Sequence, residues 1–126
     1  MSSKRDTPAQ ILLTMNSILR SHTDVLKTNK ESDHGLEMIG TFPVQQGKQN
    51  VPGHYFASTS LKPKDVRLYF FPIYTHPEAF KLSEALQKML KGKSCFHINQ
   101  LDDELTKELK QMIAQGVRLY KKDGLI

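Results

Sequence analysis

The chain has 126 residues, 38% of them apolar and 8% aromatic, with no tryptophan and a net charge of +5. That length suits a single α+β-sized domain over residues 1–126, with one core, and the composition excludes a disordered chain. The longest apolar run, Leu68-Tyr69-Phe70-Phe71-Pro72-Ile73-Tyr74, falls far short of the roughly 20 residues that span a bilayer, so no membrane partner is expected.

Met1 to Asp6 leads directly into helical sequence and has no signal-peptide pattern. Thr7-Pro8-Ala9-Gln10 then supplies a helix start, with a hydroxyl cap, a proline in the first turn and a glutamine three residues after the cap. Apolar residues at Ile11, Leu12, Met15, Ile18, Leu19 and Leu26 make one helical stripe. Lys27 to Asp33 is polar and reads as a loop, and Gly35 to Phe42 reads as a strand. Pro43 to Gly53, with two prolines and two glycines, reads as a turn with a long hairpin connection. His54 to Leu61 is a second strand, Lys62 to Asp65 a tight turn, and Val66 to Phe71 a third strand. Short connections predict an antiparallel meander.

The period changes at Pro77, where a short helix is expected to run through Leu82, Leu86, Met89 and Leu90 to an end at Gly92. Ser94 to Ile98 is a short strand. Asp102, Asp103 and Glu104 open a long helix with acids at its positive end, Lys121 and Lys122 close it, and Gly124 stops it. The fold class predicted from this order is α+β. An antiparallel sheet of about four to five strands carries two long helices on one face, with one short helix besides. Val66, Leu68 and Phe70 face the helices, which leaves Arg67 and Tyr69 on an open face.

Lys91-Gly92-Lys93-Ser94 resembles the end of a phosphate-binding loop, but the glycine required five positions before Gly92 is Gln87. A helix also precedes it where a strand is needed, so nucleotide hydrolysis is excluded and a helix end followed by strand entry is read instead. The single cysteine, Cys95, excludes an internal disulfide and reads as a small buried residue, which favours a reducing cytoplasm. The five histidines form no i, i+4 pair, and the acids Asp102, Asp103, Glu104 and Glu108 read as helix-dipole chemistry; no metal or cofactor is assigned. Two prolines bracket Tyr74 and His76 where strand gives way to helix, so Phe71 to Pro77 is a stiff connector and a candidate ligand wall. Four lysines against one acid between Lys81 and Lys93 place the basic excess nearby.

Phe71-Pro72-Ile73-Tyr74-Thr75-His76-Pro77, Leu90-Lys91-Gly92-Lys93-Ser94-Cys95-Phe96 and the ending Tyr120-Lys121-Lys122-Asp123-Gly124 together resemble the YdhG-like bacterial domains of unknown function. The resemblance is best from Val66 to Gly124. It implies helices against a curved antiparallel sheet. One branch of that group is frataxin-like and implies iron delivery through acidic surfaces, whereas this chain is basic and its first helix offers only Asp24.

The function expected is therefore a non-enzymatic module for a small or anionic ligand, with Arg67, Tyr74, His76, Lys91, Lys93 and Ser94 as the candidate ligand-binding residues. The alternatives are iron handling through Asp102, Asp103, Glu104, Glu108 and His97, and a homodimer formed through Tyr69 and Phe71 on the open sheet face. A charge of +5 without a groove-reading helix or an aromatic RNA-binding strand motif argues against nucleic acid. No nucleophile, base and orienting group can be assembled into an enzyme.

Overall fold

The computed structural model describes residues 7–42, 44–46 and 49–126 of the chain. The expected lead-in from Met1 to Asp6 lies outside the described residues, as do Pro43, Gly47 and Lys48 of the expected long connection.

The first helix, α1 (Pro8–Arg20), starts as its sequence dictates. The Thr7 hydroxyl accepts a hydrogen bond from the Gln10 amide, and Pro8 sits in the first turn, where its missing N–H leaves nothing unpaired. Ile11, Leu12, Met15, Ile18 and Leu19 are buried along one stripe. The stripe does not extend to Leu26: the helix ends at Arg20, and Leu26 opens a strand.

The strands are β1 (Leu26–Ser32), β2 (Gly35–Gly40), β3 (Val44–Gln46), β4 (Gln49–Val51), β5 (Tyr55–Leu61), β6 (Val66–Phe70), β7 (Leu90–Lys91) and β8 (Cys95–Ile98). Six of them form one antiparallel sheet in the order β1-β2-β5-β6-β8-β7, and β3 pairs with β4 in a separate ribbon. The meander is present as β2-β5-β6, with the Lys62 amide bonded to the Asp65 carbonyl at 2.9 Å in the tight turn. The strand count is corrected from four or five to six by β1 and β7. Lys27 to Asp33 is not a loop: β1 runs through it, paired with β2. Only Leu26 of β1 is buried. An outermost strand with lysines toward solvent carries no alternating pattern, and its charges keep the free edge from pairing with another chain.

Among the described residues four helices accompany the sheet. Besides α1 they are α2 (Phe71–Thr75), α3 (Glu84–Met89) and α4 (Asp103–Lys122), with a single 3-10 turn at Pro77–Ala79. The long helices α1 and α4 pack on one sheet face, as the stripes require. Asp102 caps α4 through the Leu105 amide at 2.8 Å, and Gly124 follows its end with φ +74°, a conformation open to glycine. Among the described residues no helix is long and apolar enough to cross a membrane.

The core between helices and sheet is one contiguous cluster. Phe56 meets the Phe70 and Tyr120 rings edge-on at 5.6 and 5.2 Å, and Phe70 meets Phe80 the same way at 5.5 Å. On β6, Val66, Leu68 and Phe70 are buried, while Arg67 and Tyr69 face outward, as the alternation predicts.

Two expectations about the segment after β6 are corrected. The third strand stops at Phe70 rather than Phe71, and the stiff connector from Phe71 to Pro77 is largely helical. It folds into α2, because Pro72 falls in the first turn, where proline favours helix, and its carbonyl accepts from the His76 amide at 2.9 Å. One short helix from Pro77 to Gly92 is replaced by four pieces: the 3-10 turn, a non-helical stretch through Phe80 and Leu82, α3 and β7. The Ser83 hydroxyl caps α3. Gly92 is therefore not a helix end. With φ +82° it turns the hairpin between β7 and β8.

Candidate functional site

That hairpin sets the geometry of the site. By turning the chain at Gly92, it lifts Lys93 out beside α2, whose exposed side presents Tyr74. The Lys93 Nζ stands 5.8 Å from the centroid of the Tyr74 ring, a cation–π distance. Among the described residues the ammonium meets no carboxylate. Below the pair lies a cleft of about 670 Å³, walled by Ile73, Pro77, Phe80, Leu82 and Leu90. A cleft of this size with mostly apolar walls and few polar groups has the form of small-molecule sites.

The walls are held from behind. Phe80 leans edge-on against the fully buried Phe70. Ser83 donates from its amide to Glu108 Oε2 at 2.8 Å and from its hydroxyl to Oε1 at 2.6 Å, which ties the start of α3 to α4. Gln87 donates to the Leu82 carbonyl at 2.8 Å. The non-helical stretch carrying Phe80 and Leu82 is therefore pinned at both ends.

An aromatic row leads from the cleft to the open sheet face. Tyr74 lies against Phe71 at 5.5 Å, and Phe71 against Tyr55 at 6.0 Å. Burial pushes the Tyr55 phenol up to about 12, against the opposing hydrogen bond with Ser58. On the neighbouring strand, the adjoining Cys95, with burial second, raises the Tyr69 phenol above its ordinary value.

Of the six candidate residues, the fold brings two into one site, Tyr74 and Lys93. His76 is two positions from Tyr74 but turns to the end of α4, with Nε2 at 3.2 Å from Asp123 and Nδ1 at 2.9 Å from the Thr75 hydroxyl. Arg67 lies on the open sheet face, where its Nε donates to Asp65 at 2.8 Å; that hydrogen bond raises its pKa further. Lys91 lines a different, polar cleft together with His97 and Asp65. Ser94 is half-buried, and its carbonyl accepts from the Phe70 amide at 2.9 Å.

Ile73 and Pro77 belong to the segment expected as a ligand wall; the wall residues that the sequence did not assign to the site are Phe80, Leu82 and Leu90. A helical reading of 77–92 put Leu82 and Leu90 on a core stripe. The pairing of Phe80 and Leu82 at spacing two was the available signal for non-helical chain there. Of the acids expected as alternative metal ligands, Asp102 caps α4 and Glu108 tethers Ser83. Among the described residues no three histidine, cysteine or acidic side chains converge in a cluster fit for a metal ion.

Comparison of the chain with protein-family models, curated proteins and solved structures returns no match. The functional reading rests on the geometry of the cleft.

Proposed function

We propose that this protein is a non-enzymatic binding module for a small anionic organic ligand, held in the cleft between α2 and the β7–β8 hairpin. The observation that carries the reading is Lys93 poised over Tyr74 at the mouth of an apolar cleft. Apolar walls supply affinity by removing ligand surface from water, and the ammonium supplies orientation and sign. The described lining carries no serine, threonine, cysteine, histidine or carboxylate, and what it offers is binding chemistry. The free Cys95 supports a reducing, cytoplasmic setting as part of the same proposal.

The test is a thermal-shift panel of anionic metabolites and nucleotides at millimolar concentration, run on the wild type, Lys93→Ala and Tyr74→Ala. At least one anion is expected to raise the midpoint by several degrees in the wild type, because a ligand at 100 times its Kd contributes about 2.7 kcal/mol. Both variants should lose that shift. A panel without any shift overturns the proposal.

A second reading is self-association through the open sheet face. It is favoured by Tyr69 and Phe71, 39% and 36% exposed beside the same aromatic row. Light scattering that gives a monomer at high protein concentration removes it.

A further inference from the structure

We infer that the ligand of the Tyr74–Lys93 cleft is an amphiphilic monoanion, an apolar chain or ring that ends in one carboxylate. The inference rests on the reading of that cleft as a ligand site and narrows it to a chemical class.

Charge sets the first limit. Among the described residues Lys93 is the one cationic side chain in the lining, and the rest is apolar or aromatic apart from Gln87 and Gly92. A ligand with one negative charge is matched by one ammonium. A nucleotide di- or triphosphate would hold its further charges against side chains that cannot hydrogen-bond them, at the cost of their hydration.

The cation itself sets the second. An ammonium over a ring face keeps three donors on a flexible stem, so Lys93 can retain the Tyr74 ring and still donate to a carboxylate oxygen. The ring shields one side of the ammonium from water, which strengthens the bond to an anion arriving from the cleft side.

The walls set the third. Phe80 and Leu82 lie on a non-helical stretch fixed by Phe70 on one side and by the Ser83–Glu108 bonds on the other. A preformed apolar wall rewards each added methylene of a ligand that lies along it, without a cost for ordering the wall.

The experiment is isothermal titration of the full chain with straight-chain saturated carboxylates of increasing length, with the matched primary alcohols and with ATP. Affinity for the carboxylates is expected to tighten by about fourfold per methylene until the cleft is filled. Each alcohol should bind at least about tenfold more weakly than its carboxylate. Lys93→Met should abolish that preference and leave the methylene increment, and Leu82→Ala should reduce the increment and leave the preference. Carboxylate affinity that does not change with length, or alcohols that bind as well as carboxylates, overturns the inference. If ATP binds more tightly than every carboxylate and loses affinity in Lys93→Met, the ligand class is wrong while the site stands. If no ligand binds and neither variant differs from the wild type, the site reading falls too.

Discussion

Phe70 occupies the space that a side chain at Gly116 would need. A Cβ built on Gly116, in the middle of α4, would lie 2.6 Å from Phe70 Cζ and 3.0 Å from both Phe70 Cε1 and Pro72 Cγ. Helix propensity alone predicts that Gly116→Ala stabilises the chain, by about 0.5–1 kcal/mol. The packing reverses the sign. Phe70 is fully buried and fixed edge-on by Phe56 and Phe80, so its ring has nowhere to move. Overpacking of this kind costs about 1–3 kcal/mol, and Gly116→Ala should be destabilised by that amount in urea unfolding. A more stable variant would show that the Phe70 ring yields easily.

Thr59 stands between α1 and the sheet. Its hydroxyl donates to Asn16 Oδ1 at 2.6 Å and accepts from the Leu36 amide at 3.1 Å, and both Asn16 and Thr59 are buried. Thr59→Val leaves both partners unpaired in place, whereas Asn16→Leu leaves the Thr59 hydroxyl still bonded to Leu36. Each buried group without a partner costs about 1–3 kcal/mol. Thr59→Val should therefore be the more destabilised of the two, and the double variant should be less destabilised than the sum of the singles. Equal costs for the two single changes in chemical unfolding would mean that the Leu36 amide finds another acceptor.

These relationships separate what is readable in the chain from what is not. Elements with one buried face announce themselves: α1 and α4 by their stripes and caps, β6 by the alternation from Val66 to Phe70. The edge strand β1 is hidden because its neighbour lies on one side only and its lysines face water. Helix α2 is hidden because Pro72 breaks a helix interior but starts a helix, and position within an element that does not yet exist decides which. The site was half legible for the same reason. Tyr74 and Lys93 stand out as residue types near chain reversals. The apolar walls become a cleft only through the hairpin at Gly92, which reads equally well as a helix end. Arg67 and Lys91, similar in type to Lys93, are separated from the cleft by the direction in which their strands point them.

The interior phenols predict a loss of stability at alkaline pH. Burial is the main cause that raises both Tyr55 and Tyr120, and the Tyr120 hydroxyl donates to the Tyr55 carbonyl. Tyr55 moves from 10.0 up to about 12. Below pH 10 both phenols are neutral, folded or unfolded, and nothing changes. Above it the unfolded chain releases these protons while the folded chain retains them, so the folded state loses ground as the pH rises from about 10 towards 12. Urea unfolding between pH 8 and 11.5 should show stability falling across that window. Tyr55→Phe, which cannot ionise in either state, should flatten part of the slope. A variant with the wild-type slope would assign the alkaline loss to other groups.

The contact between Glu108 and Ser83 makes a prediction about stability and binding together. Glu108 of α4 holds the start of α3 through both carboxylate oxygens. Glu108→Ala removes two hydrogen bonds to a charged acceptor. Because the pair is exposed, the cost to folding should be near the lower end for such bonds, about 1 kcal/mol. The consequence for the cleft is larger than that figure implies. Leu82 immediately precedes Ser83, and without the tether the stretch from Phe80 to Ser83 is held by the packing of Phe80 and Leu82 on the core and by the Gln87 bond to the Leu82 carbonyl. A wall that must be ordered on binding subtracts its ordering cost from affinity. A ligand of the cleft should therefore bind Glu108→Ala several-fold more weakly, with the sign preference set by Lys93 intact. Glu108→Gln keeps an acceptor oxygen for the Ser83 hydroxyl and should fall between the two. The same variants address iron. Ferrous ion titrated anaerobically into the wild type and Glu108→Ala should give the same weak heat, because this carboxylate is engaged in the tether. Ferrous affinity in the micromolar range that disappears in Glu108→Ala would instead make this acid a metal ligand.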